Sequence, residues 1–136
     1  MSVVDLLLKM DKNKLELQTK EIEIKRLSQA AGEPIIFKVQ AIPQPIMDEI
    51  QDMAMKINPT TKELDLDLTE LKLATVLNGV IEPNFKDENL IKHYGAATPY
   101  DLIKKLFNSG ERDAIYNEIS VLNGYGENVV EEVKKQ

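Results

Sequence analysis

The sequence predicts a mainly α fold with a small β-hairpin (α+β), a compact helical domain of about five to seven short helices. Three observations carry that expectation. Apolar and charged residues alternate with period two through residues 20–42, interrupted by a turn-rich break. From Leu68 to about Ile81 apolar residues occupy most of a helical circumference. Between Gly79 and Gly126 helix starts and stops recur, with Asp87, Thr98-Pro99 and Ser109 as starts and Gly95 and Gly124 as stops. On this reading residues 1–19 form an N-terminal helix or arm, 20–42 the hairpin and 43–136 the helical body. The 136 residues make a single domain long enough to bury its own core.

In the first ten residues Val3, Leu6, Leu7 and Met10 recur at i, i+3, i+4 and i+7, which places them on one face of a short helix. An apolar terminus must be covered somewhere. The plainer expectation is docking on the protein's own core; the functional one is a latch for a partner or a second copy. From Lys20, Ile22 and Ile24 share one face, opposite Glu21, Glu23 and Lys25. After residues 28–33, read as a loop because Gly32 precedes Pro34, the side chains of Ile35, Phe37, Val39 and Ala41 share the next apolar face. Two strands alone are marginal in water, so this hairpin must lie on helices or pair with another chain, and its open edge is an expected site of self-association.

Pro43 and Pro45 end the strand and begin a helix with Ile46, Ile50, Met53 and Ile57 in its core-facing arc and Met47 and Ala54 at the border. Met55 then falls on the far side near Asp48 and Asp52, as an isolated exposed apolar residue or as a contact. Residues 58–61 read as a loop. The alternating run Leu64 to Leu68 lacks the glycine and the bidentate glutamate of a calcium loop, and is read as an approach to the next helix with Asp67 as N-cap. That helix leaves a narrow polar gap near Lys72, Thr75 and Gly79.

Three shorter helices follow. Asp87 caps one carrying Leu90 and Ile91. Thr98, Pro99 and Asp101 start the next, which buries Leu102, Ile103, Leu106 and Phe107. Residues 109–112 start the last, with Ile115, Ile119 and Leu122 on one stripe. Val129, Val130 and Val133 leave room for one more turn before a charged tail.

With 43% hydrophobic and 29% charged residues the composition is that of a globular protein. There is no cysteine, so disulfides and thiolate metal sites are impossible, which fits a reducing compartment. No apolar run approaches the ~20 residues of a membrane span. The first ten residues carry an aspartate within their apolar stretch and no basic leader, so an intracellular protein is expected. Of the net charge of −6, all is accounted for by residues 45–88, with ten acidic and four basic side chains. An anionic surface repels phosphate backbones, and 5% aromatic residues offer little base stacking, so neither nucleic acid nor membrane is an expected partner.

No catalytic, cofactor-binding or metal site is expected. The single histidine, His93, has no companion at metal-ligand spacing. No phosphate-cradling glycine motif is present. The carboxylate pairs Asp87/Glu88 and Glu131/Glu132 sit near predicted helix ends, where acidic residues are common on surfaces, and residues 123–126 form a turn.

The segments SVVDLLLKMD, TKEIEIKRLS followed by GEPIIFKV, DLDLTELKLATVLNGVIEPNFKD, GAATPYDLIKKLFNSGE and ISVLNGYGENVVEEVKK, taken in their order and spacing, give the chain a wider likeness. It resembles the tail assembly chaperones of PBSX-type prophages and related contractile-tailed phages of Gram-positive hosts, the XkdN-like family, over nearly its whole length and most loosely over residues 44–62. The resemblance implies a non-enzymatic binding protein, without cofactor, in the cytoplasm of the bacterial host. Its implied partner is the tape measure protein, which it would keep soluble while helping to recruit tail tube subunits. Homo-oligomerisation is a further expectation, from the hairpin edge and the apolar N-terminus. A structural tail or baseplate component retained in the particle stays open as a different class, and an acidic adaptor outside phage assembly as a third. The family supplies no motif of functional residues. The contact candidates Val3, Leu6, Leu7, Met10 and Met55 come from their apolar exposure alone.

Overall fold

The computed structural model describes residues 2–126, 129, 130, 132 and 133. Among these, seven α-helices and five short strands follow one another, matching the mainly helical α+β expectation. The chain starts with α1 (Val3–Lys9) and a 3-10 turn over Lys12–Leu15. β1 (Thr19–Glu23) and β2 (Ile36–Gln40) then pair antiparallel, with Ile22 opposite Phe37. The period-two reading holds here: Phe37, Val39 and Ala41 are buried while Ile36 points to solvent.

The connection between these strands is not the loop that Gly32-Pro34 implied. Lys25–Ala31 forms helix α2, built from good helix formers, and Gly32 is its stop: at φ 75° it takes the left-handed conformation and its N–H donates to the Ser28 carbonyl. A third strand, β5 (Val80–Glu82), lies antiparallel along the other side of β2 with a bulge at Lys38/Val39. The β2 edge that a bare hairpin would leave open is therefore occupied.

Helix α3 (Gln44–Ala54) carries Pro45 in its first turn, as expected, but turns a different arc to the core. Met47, Ile50 and Ala54 are buried, whereas Ile46 and Met53 are exposed. Ile57 is not in the helix at all, because the chain leaves it at Ala54 and enters β3 (Met55–Ile57), which pairs antiparallel with β4 (Leu64–Leu66). Asn58 closes the turn between them by accepting from the N–H groups of Thr60 and Thr61.

Asp67 caps α4 (Leu68–Gly79) by accepting from the Glu70 N–H. This helix stops short of Ile81, since Val80 and Ile81 belong to β5. It is the centre of the molecule, packed against α3, β5, α6 (Pro99–Leu106) and α7 (Ser109–Leu122). The anticipated polar gap on α4 is mostly buried: α7 covers Gly79, and Thr75 satisfies its hydroxyl internally by donating to the Leu71 carbonyl at 2.7 Å. Small size rather than polarity is what that face required.

The capped helices after α4 fall where expected. Asp87 accepts from the N–H groups of Asn89 and Leu90 at the head of α5 (Glu88–His93), and Thr98 accepts from that of Asp101. The cap of α7 is Asn108, in a reciprocal box with Glu111. The three phenylalanines meet edge-on in the core, Phe107 lying 5.4 Å from Phe37 and 5.8 Å from Phe85 between ring centroids. Phe85 sits in a connection and carries no periodic signal. Val129, Val130 and Val133 are exposed and form no further helix; Glu131 and the charged tail after Val133 lie outside the described residues.

Candidate functional site

The contact candidates divide between two elements that leave several apolar side chains exposed. The first is α1. Ser2 accepts from the Asp5 N–H at 3.1 Å, and Asp5 accepts in return from the Ser2 N–H at 3.3 Å, so the helix carries its own N-terminal box. Val3, Leu6, Leu7 and Met10 are between 39% and 71% exposed, and no residue of α1 is buried. The expectation that this face docks on the protein's own core is therefore corrected. None of its side chains is buried against the body, whose core is built by α3, α4, α6 and α7 with β2. Val4 and Leu8 are exposed too, so at ~100° per residue the apolar surface spans roughly 200° of the helix, leaving Asp5 and Lys9 on the remainder. Covering one leucine of this surface is worth about 1.5–3 kcal/mol, and an isolated helix of this length is marginal in water.

The second surface is the β3–β4 hairpin, which holds Met55. Met55 faces Leu66 and Ile57 faces Leu64 across the ladder, so all four share one side, with Lys56 opposite Asp65 on the other. The four aliphatic residues are between 38% and 69% exposed. The polar side is the one tied down: Lys56 pairs with Glu70 in the first turn of α4 at 3.0 Å, and Asp65 accepts from the Asn58 side-chain amide at 3.0 Å. Met55 was thus expected as a helix residue and is found on a strand. Ile57, Leu64 and Leu66 escaped the sequence reading, although Met55-Lys56-Ile57 and Leu64-Asp65-Leu66 alternate on either side of a turn-forming stretch, which is a hairpin signal.

A groove of about 370 Å³ opens between α2, β2 and α5, lined by apolar residues such as Leu27, Ile35, Phe37 and Leu90 with the Tyr94 ring at its edge. Among the described residues no three His, Cys, Asp or Glu side chains are grouped to hold a metal. His93 is exposed and meets the Tyr94 ring edge-on. Among the described residues one pair, Arg26 and Glu111, has clearly shifted ionisation. Arg26 on α2 donates to both carboxylate oxygens of Glu111 and to the Leu106 carbonyl, and this hydrogen bonding holds the Glu111 carboxyl below its ordinary value and the Arg26 guanidinium above its own. No helix among the described residues is long and apolar enough to cross a membrane.

Comparison with known proteins adds what geometry does not. The family model described as "Phage XkdN-like tail assembly chaperone protein" matches residues 4–134. The crystal structure of the protein yqbn resembles this fold with a TM-score of 0.69 at 23% identity, over 92% of this chain and all of that one. At that identity the likeness concerns the fold alone. No curated protein matches.

Proposed function

The chain belongs to the phage XkdN-like tail assembly chaperone family, and from that premise we propose that it works without catalysis in the host cytoplasm, binding the tape measure protein, keeping it soluble and helping to recruit tail tube subunits. The family match over residues 4–134 carries this reading. The surface chemistry supports it. A long helical protein waiting for its tube to polymerise exposes apolar stripes, and α1 and the β3–β4 hairpin present apolar surface that folding has left uncovered. The acidic middle of the chain disfavours nucleic acid and leaves proteins as the natural partners.

Co-expression with the tape measure protein encoded by the same phage or prophage tests the proposal. The soluble fraction of the tape measure protein should rise severalfold, and the two should co-purify. Unchanged solubility with no co-purification would refute it.

A further inference from the structure

Amphipathic hairpins ordinarily lay their apolar side on the body and turn the polar side to water. In the β3–β4 hairpin neither side is laid on the body: the polar side meets water, with the Lys56 side chain 53% exposed even in its pair with Glu70, and on the other side Met55, Ile57, Leu64 and Leu66 are 38–69% exposed. An aliphatic quartet left this exposed adds little to folding and opens the chain to aggregation. We propose that this quartet is a docking platform for a partner's amphipathic helix, one whose apolar stripe is flanked by lysine or arginine. The inference rests on the chaperone reading and names the surface and the partner chemistry.

The dimensions suit a helix. Residues facing each other across an antiparallel pair stand ~5 Å apart, and those two along a strand ~7 Å apart. The quartet is therefore a patch of two rows whose spacing accepts side chains from successive turns of a helix, at ~5.4 Å per turn. Met53 and Leu68, flanking the hairpin in sequence, are exposed as well.

Charge selects the kind of helix. Residues 44–70 carry seven carboxylates, Asp48, Glu49, Asp52, Glu63, Asp65, Asp67 and Glu70, against two lysines, Lys56 and Lys62. Six of the seven carboxylates are exposed, and Lys56 is already committed to Glu70. A helix bordered by carboxylates would be repelled from this region, and one bordered by lysine or arginine would be drawn in.

Two synthetic helical peptides with the same leucine stripe, one flanked by lysine and one by glutamate, test the platform on the full chain by fluorescence anisotropy and amide chemical shifts. The leucine–lysine peptide should bind at least about tenfold more tightly than the leucine–glutamate peptide, a difference of about 1.4 kcal/mol. Its affinity should fall with added salt, and its shifts should centre on residues 53–68. The I57S/L64S variant, altered at the two most exposed positions of the quartet, should keep the wild-type circular dichroism and melting temperature and lose at least about tenfold in affinity. Equal binding of both peptides, shifts centred on α1 or on the groove beside Leu27, or a concentration-dependent self-association that I57S/L64S abolishes would each overturn the proposal. The last would mean that a second copy covers the face.

Co-expression separates this inference from the function it rests on. If the wild type solubilises the tape measure protein and I57S/L64S does so equally, the platform falls and the chaperone reading stands. If the wild type fails there but binds the leucine–lysine peptide at residues 53–68, the chaperone reading falls and the platform stands.

Discussion

Gly79 shows most directly how one residue governs the packing of this protein. A Cβ there would lie 2.4 Å from Ile119 Cδ1 and 2.9 Å from both Ile119 Cγ1 and Cγ2, and Ile119 is fully buried. On an exposed helix Gly→Ala is worth up to about 1 kcal/mol of stabilisation, from lower chain entropy and better helix propensity. Here overpacking outweighs it, because all three Ile119 atoms stand within 3.0 Å of the added carbon and the side chain is fully buried. Gly79→Ala is expected to destabilise by about 1–3 kcal/mol in urea unfolding. Adding Ile119→Val removes the nearest atom, so the double variant should cost clearly less than the sum of the singles. Additive losses in that cycle, or a Gly79→Ala protein as stable as wild type, would show that the α4–α7 contact is looser than the geometry implies. Thr75, four residues earlier on the same face of α4, is also buried, and its hydroxyl is satisfied within its own helix.

Between elements, the tie from α2 to the head of α7 has a chemistry that pH can read. Arg26 holds the Glu111 carboxylate in a fork while Glu111 also closes the α7 box with Asn108, and both contacts favour the ionised acid. A carboxyl whose value is lowered on folding contributes stability that is fully present above its unfolded value of about 4.3 and is lost as pH falls through the lower folded value. Wild-type protein should therefore lose melting temperature on acidification below about pH 4.3, and Glu111→Gln should be less stable at neutral pH but show a flatter acid limb. Parallel acid limbs would mean that other carboxylates dominate. The two uncovered elements differ in kind from this tie. Helix α1 carries an N-terminal box but buries none of its residues, and the β3–β4 hairpin is joined to α4 through the Lys56–Glu70 pair, so both leave apolar surface available.

Across the whole molecule, stability should be graded outward from α4, which packs against α3, α6, α7 and β5, toward the two uncovered elements. Amide hydrogen exchange should find the slowest protons in α4, α7 and β2 and the fastest ordered ones in α1 and β3–β4, and strong protection of α1 in the free protein would contradict its uncovered state. What the sequence determined on its own was whatever depends on neighbours within one helical turn or one strand. Asp67, Asp87 and Thr98 were legible as caps, Gly95 and Gly124 as stops, and Phe37, Val39 and Ala41 as one buried face, because capping bonds and side-chain period are local properties. The apolar face of Val3, Leu6, Leu7 and Met10 was equally legible, but its lack of cover was not. Residues 28–33 misled because a glycine before a proline serves a helix stop as readily as a turn. Only the tertiary structure decided that β5 completes the sheet beside β2, that Phe85 joins the core from a connection, that Gly79 lies under α7 and that Thr75 is buried. It also decided that the apolar side of β3–β4 stays uncovered. Each of these depends on groups far apart in sequence, and alternation marks the two faces of a strand without saying which one the rest of the chain will cover.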